Sequence, residues 1–518
     1  MQMGHDEKVS LRQSFPMSTP GEMPTDPVAR ASALIAAGRA SEAVAILERL
    51  VAQKDAGLGS LSALGRALKA AGRHEDALAA YQRAVRVAPA SAVAEHNVAG
   101  VLGDLARHAE AESAARRAFA KGLDAAETWL VLARALQGQA RLDEAEAAYR
   151  ECLRRRHNDA AAHRDYAQLL WMRTGDAGLA SSTLDAAIRA DPAQGALAIV
   201  KSKVLQFAGD DRGAYDTLAA AIGRTPLDTT LLCAAVFAAG RAGLAEAGLE
   251  YAKRALVIAP GDARLLIARA QAQLAMGNAQ AAAADALEVR GRLPLDQHVI
   301  AILATAWRLL GDPRYGELYD YSAFVLSFQL AVPPGWIDLA AYLADLGNGL
   351  VEFHAYRSHP FDQSLRGGSQ APDLLTGKHP AVRALPEALD PALRQALGRL
   401  GTGSDPVRAR NVGGYRFAGI WSVRLGPGGR HVDHVHPAGW LSSACYVDLP
   451  ELGEERGGEG WIKFGEPGVP TRPTLQAEHY ERPEPGKLVI FPSYMWHGTV
   501  PFRKGAHRLT FAFDLLPA

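Results

Sequence analysis

A fixed period constrains this chain more than any other feature. A glycine, or an alanine in its place, precedes a polar segment at Gly38, Gly72, Ala106, Ala140, Gly175, Gly209, Gly243, Gly277 and Gly311, and every step is 34 residues except one of 35. Five residues after each anchor stands a small residue: Ala43, Ala77, Ala111, Ala145, Ala180, Ala214, Gly248, Ala282 and Gly316. Seventeen residues after five of the anchors stands a proline: Pro89, Pro192, Pro226, Pro260 and Pro294. The glycine lets the chain reverse between two helices, the small residue lets them approach, and the proline ends the second helix. Stretches such as 75–84 carry apolar residues at helical spacing. One helix pair cannot bury its apolar face alone, so the pairs must stack into a solenoid with a concave groove.

This period, with its mid-repeat glycine, small residue and terminal proline, resembles the tetratricopeptide repeat. The resemblance implies a groove that holds a protein or peptide segment. The plainer alternative is a scaffold or dimerisation surface.

The chain has 518 residues, which predicts two or three domains. Its 56 basic and 56 acidic side chains balance, so bulk charge gives no reason to expect nucleic acid or an anionic membrane as a partner. No apolar run reaches the length of a membrane span. Residues 1–26 are polar, lack the apolar stretch of a secretory signal, and read as a disordered tail in which Met17 is an alternative start. Three widely separated cysteines, Cys152, Cys233 and Cys445, suit a reducing compartment, and the cytoplasm is the expectation.

Composition changes after about residue 310, where Gly, Pro, His and aromatic residues rise. We read 27–325 as the solenoid and 326–518 as a second domain, with a helical lead-in over 326–410 and a β core over 411–518. The lead-in shows helical patterns at 337–346 and 380–400, and the stretch around Arg366 reads as a loop. Beyond Gly414, apolar runs at 417–425, 441–449, 461–464, 488–491 and 508–516 are separated by Gly and Pro, which predicts antiparallel strands in a sandwich or jelly roll. In the last run Leu509, Phe511 and Phe513 share one face, with Arg508, Thr510 and Ala512 on the other.

The candidate chemistry lies in that core. His431, Asp433, His434 and His436 fall within six residues, after a glycine turn at Gly426–Gly429. His497 ends a distant apolar run, and Arg508 follows. Two ligands at i and i+2 of a strand share a face, and a third can arrive from a neighbouring strand to complete a facial triad. Arginine presents a planar fork suited to a carboxylate. A zinc site, or an incidental cluster of surface histidines, is the plainer alternative.

The glycine turn, the histidine cluster, the run Ser442–Val447, the run Phe491–His497 and Arg508 resemble the Fe(II)/2-oxoglutarate-dependent oxygenases. More narrowly they are similar to bacterial oxygenases related to prolyl 4-hydroxylases and aspartyl/asparaginyl β-hydroxylases. The stretch His359–Gly368 is similar to the lead-in of the first group, so the likeness covers about the last 180 residues. It implies a double-stranded β-helix (jelly roll), Fe(II) with 2-oxoglutarate and O2 as cofactor and co-substrates, and Arg508 receiving the far carboxylate of 2-oxoglutarate. Two ligand sets remain open. His431 and Asp433 with His497 give two histidines and one carboxylate. His434 and His436 with His497 fit the spacing from the glycine turn in collagen-type enzymes and the following Pro437, and this set is preferred. The expectation is therefore an α + β multidomain chain in which a tetratricopeptide solenoid presents a protein or peptide to a hydroxylase. The alternative is a jelly roll that binds metal without turnover.

Overall fold

The computed structural model describes residues 24–52, 56–451 and 457–518, so most of the expected N-terminal tail lies outside the described residues. By packing density the chain divides into two compact units, one ending at Leu169 and the other running from Leu170 to Ala518.

Among the described residues, seventeen consecutive helices run from Pro27–Ala36 to Gln297–Leu310. All nine anchor residues take a left-handed backbone, with φ between 57° and 86°. Seven anchors are glycine, which adopts this conformation without a Cβ penalty; Ala106 and Ala140, both at φ 57°, do not have that freedom. The small residues behave as their spacing requires. Ala43, Ala77, Ala111, Ala145, Ala180, Ala214 and Ala282 are fully buried. A Cβ on Gly248 would stand 3.3 Å from the carbonyl oxygen of Val236. At Gly316 nothing lies within 4 Å, because that unit has shrunk to the short helix Arg314–Leu318.

Two short helices, Arg314–Leu318 and Tyr321–Phe324, follow the series, and the first strand begins at Leu326. Nine strands follow: β1 Leu326–Gln329, β2 Leu365–Ala371, β3 Tyr415–His431, β4 Leu441–Asp448, β5 Ile462–Phe464, β6 His479–Glu481, β7 Lys487–Pro492, β8 His497–Thr499 and β9 Arg508–Pro517. They form a six-stranded sheet in the order β1-β7-β4-β9-β3-β2 and a three-stranded sheet in the order β6-β5-β8, antiparallel throughout. This is a helical repeat region followed by a jelly-roll β domain.

Two sequence expectations need correction. The lead-in is not simply helical: besides helices Leu339–Val351 and Leu385–Leu400 it supplies both edge strands of the large sheet, and the stretch around Arg366 is β2 rather than a loop. Nor is Gly426–Gly429 a turn that interrupts the strand. β3 runs through it to His431, with an irregularity opposite Gly367. Gly367 (φ 73°) and Gly429 approach so closely that a Cβ on the former would stand 3.0 Å from the Cα of the latter. The glycines thus let two strands cross a bulge at van der Waals distance.

One apolar core joins these parts. It runs from Leu266, Ile300, Leu303 and Trp307 on the last repeat helices, through Leu346 and Leu389 of the lead-in, to Phe491, Phe511 and Phe513 of the sheet. Residues 170–325 therefore pack as part of the same body as the sheet.

Candidate metal centre

β3 ends at His431, and the chain then leaves the sheet to make two short contacts with the segment 493–497. His434 and His497 exchange backbone hydrogen bonds of 3.0 and 3.1 Å. His436 N–H donates to the Ser493 carbonyl at 2.9 Å. These contacts bring the three imidazoles together, with one nitrogen from each lying within 4.8 Å of the others.

The remaining nitrogens fix the tautomers. Nδ1 of His434 donates to the Val432 carbonyl at 2.9 Å, and Nδ1 of His497 to the Met495 carbonyl at 2.9 Å. Nδ1 of His436 faces Asp514 Oδ2 at 2.7 Å. A proton on each Nδ1 leaves each Nε2 as a lone pair, and the Nε2 atoms of His434 and His436 stand 3.1 Å apart. Two lone pairs at that distance repel unless a cation lies between them, so the donor set fits a metal ion. Burial pushes His434 and His497 well below the ordinary imidazole range, with the neighbouring rings adding to it, so both stay neutral as ligands must. Phe491 packs on His497 at 4.5 Å between centroids, and Trp421 stacks on His436 at 5.7 Å.

Asp514 was not singled out from the sequence. It is buried, receives Ser442 Oγ at 2.6 Å on its other oxygen, and Ser442 in turn meets Ser493. A carboxylate behind a histidine orients the ring and raises its basicity. The signal that could have found it is parity, since Asp514 continues the Arg508, Thr510, Ala512 face of β9.

The other register is not assembled. Asp433 turns to Lys463, with Nζ 2.9 Å from its Oδ2, and burial raises its carboxyl to about 6. His431 stays near the cluster, its ring 5.9 Å from that of His434, with Nδ1 against Ser364 Oγ at 2.8 Å. Burial and the charge of Arg508 lower it to about 3. Strand parity fails to sort these side chains because the strand has already ended.

Arg508 opens β9 opposite Leu425 and is only 2% exposed. Its guanidinium carbon lies 5.1 Å from the centroid of the Tyr446 ring. The Tyr446 hydroxyl is its polar neighbour, and no carboxylate pairs with it among the described residues. A buried guanidinium with no counter-charge is costly, and an incoming carboxylate would relieve it.

Helix Gln297–Leu310 grips both segments that carry the imidazoles. Trp496, beside His497, donates its indole N–H to Thr305 Oγ1 at 2.9 Å and meets the His298 ring edge-on at 6.3 Å. Pro437, beside His436, accepts from Gln297 N–H at 3.3 Å.

Comparison with known proteins accords with this architecture. Residues 419–514 match the family described as "Putative 2OG-Fe(II) oxygenase", and residues 126–159 match "Tetratricopeptide repeat". The chain joins tetratricopeptide repeats to a C-terminal domain of the 2OG-Fe(II) oxygenase family. Residues 27–89, within the first helices, also match "Bacterial transcriptional activator domain". No curated protein matches the chain. Among solved structures, a tetratricopeptide repeat protein from Parabacteroides merdae is similar at 13% identity and TM-score 0.34, covering 48% of this chain and 98% of its own. The Cut9–Hcn1 hetero-tetramer of APC/C is similar at 16% identity and TM-score 0.33, covering 54% and 55%. MamA from Desulfovibrio magneticus RS-1 is similar at 16% identity and TM-score 0.29, covering 33% and 98%.

Proposed function

We propose that this chain is an Fe(II)- and 2-oxoglutarate-dependent dioxygenase that hydroxylates a C–H bond of a protein or peptide held by its repeats. The observation that carries the reading is the convergence of three imidazole nitrogens in a domain that also buries Arg508 without a carboxylate partner among the described residues. In this reading His434, His436 and His497 hold the iron, and Arg508, with the Tyr446 hydroxyl near it, receives the far carboxylate of 2-oxoglutarate. The bound iron and 2-oxoglutarate supply the oxidising chemistry with O2, releasing succinate and CO2.

The chain's own residues do the rest. Asp514 holds the proton on Nδ1 of His436, so its Nε2 would be the atom to hold a metal. The carbonyls of Val432 and Met495 do the same for His434 and His497. Phe491 and Trp421 restrict water around the rings. The ion pair with Lys463 keeps Asp433 off the metal. An all-histidine set would leave the iron without a carboxylate ligand, with Asp514 as the nearest negative charge behind His436.

That missing carboxylate also favours a second reading, a jelly roll that binds metal without turnover. One experiment separates the two: anaerobic titration of 2-oxoglutarate into Fe(II)-loaded protein, following the visible charge-transfer band of the chelate. A saturable band that disappears in His497→Ala supports the oxygenase. Stoichiometric metal with no band would leave metal binding alone, and a band that survives in Asp433→Ala but not His434→Ala fixes the ligand set.

A further inference from the structure

Beside the centre the sheet carries an electrostatic imbalance. Arg366 on β2 and Arg430 on β3 are directly opposite each other in the antiparallel pairing, one position from the pair Leu365 and His431. Like charges at opposed strand positions are destabilising unless something neutralises them. A third guanidinium, Arg241 at the end of helix Thr229–Arg241, is close enough to act on Arg366; burial, with Arg241 and Arg430 adding to it, lowers Arg366 to about 10. Against these three cations stands Asp211, already ion-paired to Arg241 at 2.7 Å. The neighbouring Lys203 and Asp362 cancel each other at 2.8 Å. Neither Arg366 nor Arg430 has a carboxylate partner among the described residues.

The Arg366 guanidinium is nevertheless held firmly. Its Nη1 donates to the carbonyls of Gln363 and Leu365, both at 2.8 Å, and the group lies 4.6 Å from the centroid of the Phe207 ring. Phe207 itself stacks on Phe361. Nη1 is thus consumed by the backbone, and the Nε–Nη2 edge is left to present a fork. A guanidinium fixed on an aromatic face with one edge open is prepared for bidentate pairing with a planar carboxylate. Its surroundings come from both parts of the body: Phe207 and Arg241 from repeat helices, Arg430 and His431 from the strand that leads into the imidazole cluster. His431 lies within the electrostatic reach of Arg366, and its ring neighbours that of His434.

We propose that Arg366, with Arg430 across the strand pair, receives an Asp or Glu side chain of the polypeptide substrate and so selects acidic segments at the entrance to the metal centre. This rests on the oxygenase reading only for the word substrate; the binding itself needs neither iron nor 2-oxoglutarate. The test is accordingly run in chelator. The full chain, and its Arg366→Gln, Arg366→Lys and Arg430→Gln variants, are panned against phage-displayed random dodecapeptides. The best binders are then remade as fluorescein-labelled pairs that differ only in Glu against Gln, and measured by fluorescence anisotropy.

The expected result is Asp or Glu several-fold over its library frequency in peptides selected by the natural chain. Each Glu-to-Gln exchange should weaken binding at least ten-fold. Arg366→Gln should bind both members of a pair alike, and Arg366→Lys should recover only part of the difference. Arg430 is exposed, so Arg430→Gln tests the same point without disturbing the half-buried site, and should reduce the discrimination. The proposal is overturned by selected peptides with no acidic enrichment, or by discrimination that persists in both glutamine variants. It is also overturned if citrate binds as tightly as the peptides and loses its affinity in Arg366→Gln, since the pair would then be a small-anion site. Loss of the 2-oxoglutarate band with acidic selection intact would instead sink the oxygenase reading and leave this one standing.

Discussion

Asp514 stands behind the imidazole cluster, yet its contact with Nδ1 of His436 decides which nitrogen of that ring is free to bind a metal. In Asp514→Asn the side-chain carbonyl can still accept from Nδ1, but the charge behind the ring is gone. Metal affinity should fall about 10-fold, at the low end of the range for such second-row partners, as read by competition with a chromogenic chelator. Unchanged affinity would show that the His436 tautomer needs no carboxylate. In the proposed reading Arg508→Gln would remove a charge-assisted pairing worth about 2–3 kcal/mol, so 2-oxoglutarate binding should weaken about 100-fold with metal binding preserved. The place of His497 in the imidazole cluster was legible in the sequence because it ends an apolar run, and the burial of Arg508 because it begins one with clear alternation. Asp514 was hidden in the same strand by a reading that looked for ligands and not for what stands behind them. The choice between Asp433 and His436 was not legible from parity, because the backbone leaves the strand at His431 and the alternation rule stops there.

Buried imidazoles away from the centre give a pH signature at the same scale. His354 bridges Ser369 and Ser422, while His359 packs between Trp171 and Phe207. Burial lowers each to about 4 from an ordinary 6.5. The unfolded chain therefore binds protons first as pH falls. The stability these rings contribute is whole above about pH 6.5 and is lost as pH drops toward 4, at about 1.4 kcal/mol per pH unit for each. Urea midpoints at pH 7 and pH 5 should separate accordingly, and the separation should narrow in His354→Gln. An equal slope in that variant would remove the assignment.

At the scale of the element, the repeat was readable because its physics is local. A left-handed residue between helices and a buried small residue five positions on are demands of the backbone that every unit must meet, and they appear at fixed spacing. Two units meet the first demand badly. Ala106 and Ala140 hold φ 57°, where an L-residue costs about 1–2 kcal/mol, while glycine's greater freedom in the unfolded chain costs about 0.5–1 kcal/mol. The difference favours glycine, so Ala106→Gly and Ala140→Gly should each stabilise the chain by about 0.5–1 kcal/mol, seen as a higher urea midpoint. A destabilised variant would mean that the alanine methyl makes packing contacts worth more than the strain. The edge strands β1 and β2 were not readable in this way. Their partners lie more than fifty residues away in β7 and β3, and Arg366 and the two glycines of β2 give no strand-like alternation.

At the scale of the molecule, the period and the chemistry meet in helix Gln297–Leu310. As a repeat helix it buries Ile300, Leu303 and Trp307, and its polar groups hold the residues flanking His436 and His497. A domain boundary drawn where helices give way to strands would therefore cut through the support of the imidazole cluster. A fragment from Ala160 to Ala518 keeps every element of the second compact unit, so it should unfold cooperatively and compete for metal as the full chain does. A fragment from Leu326 to Ala518 loses Thr305, Gln297 and the apolar face that covers Trp496 and Tyr494. It should expose that surface to a hydrophobic dye and bind metal weakly or not at all. Thr305→Val in the full chain offers a graded version: it leaves the buried indole N–H of Trp496 without an acceptor, at a cost of about 1–3 kcal/mol. Metal affinity should drop with it, because the strain falls on the residue next to His497. If the shorter fragment instead folds and holds metal at full affinity, the repeats only deliver a partner, and the sheet builds its centre unaided.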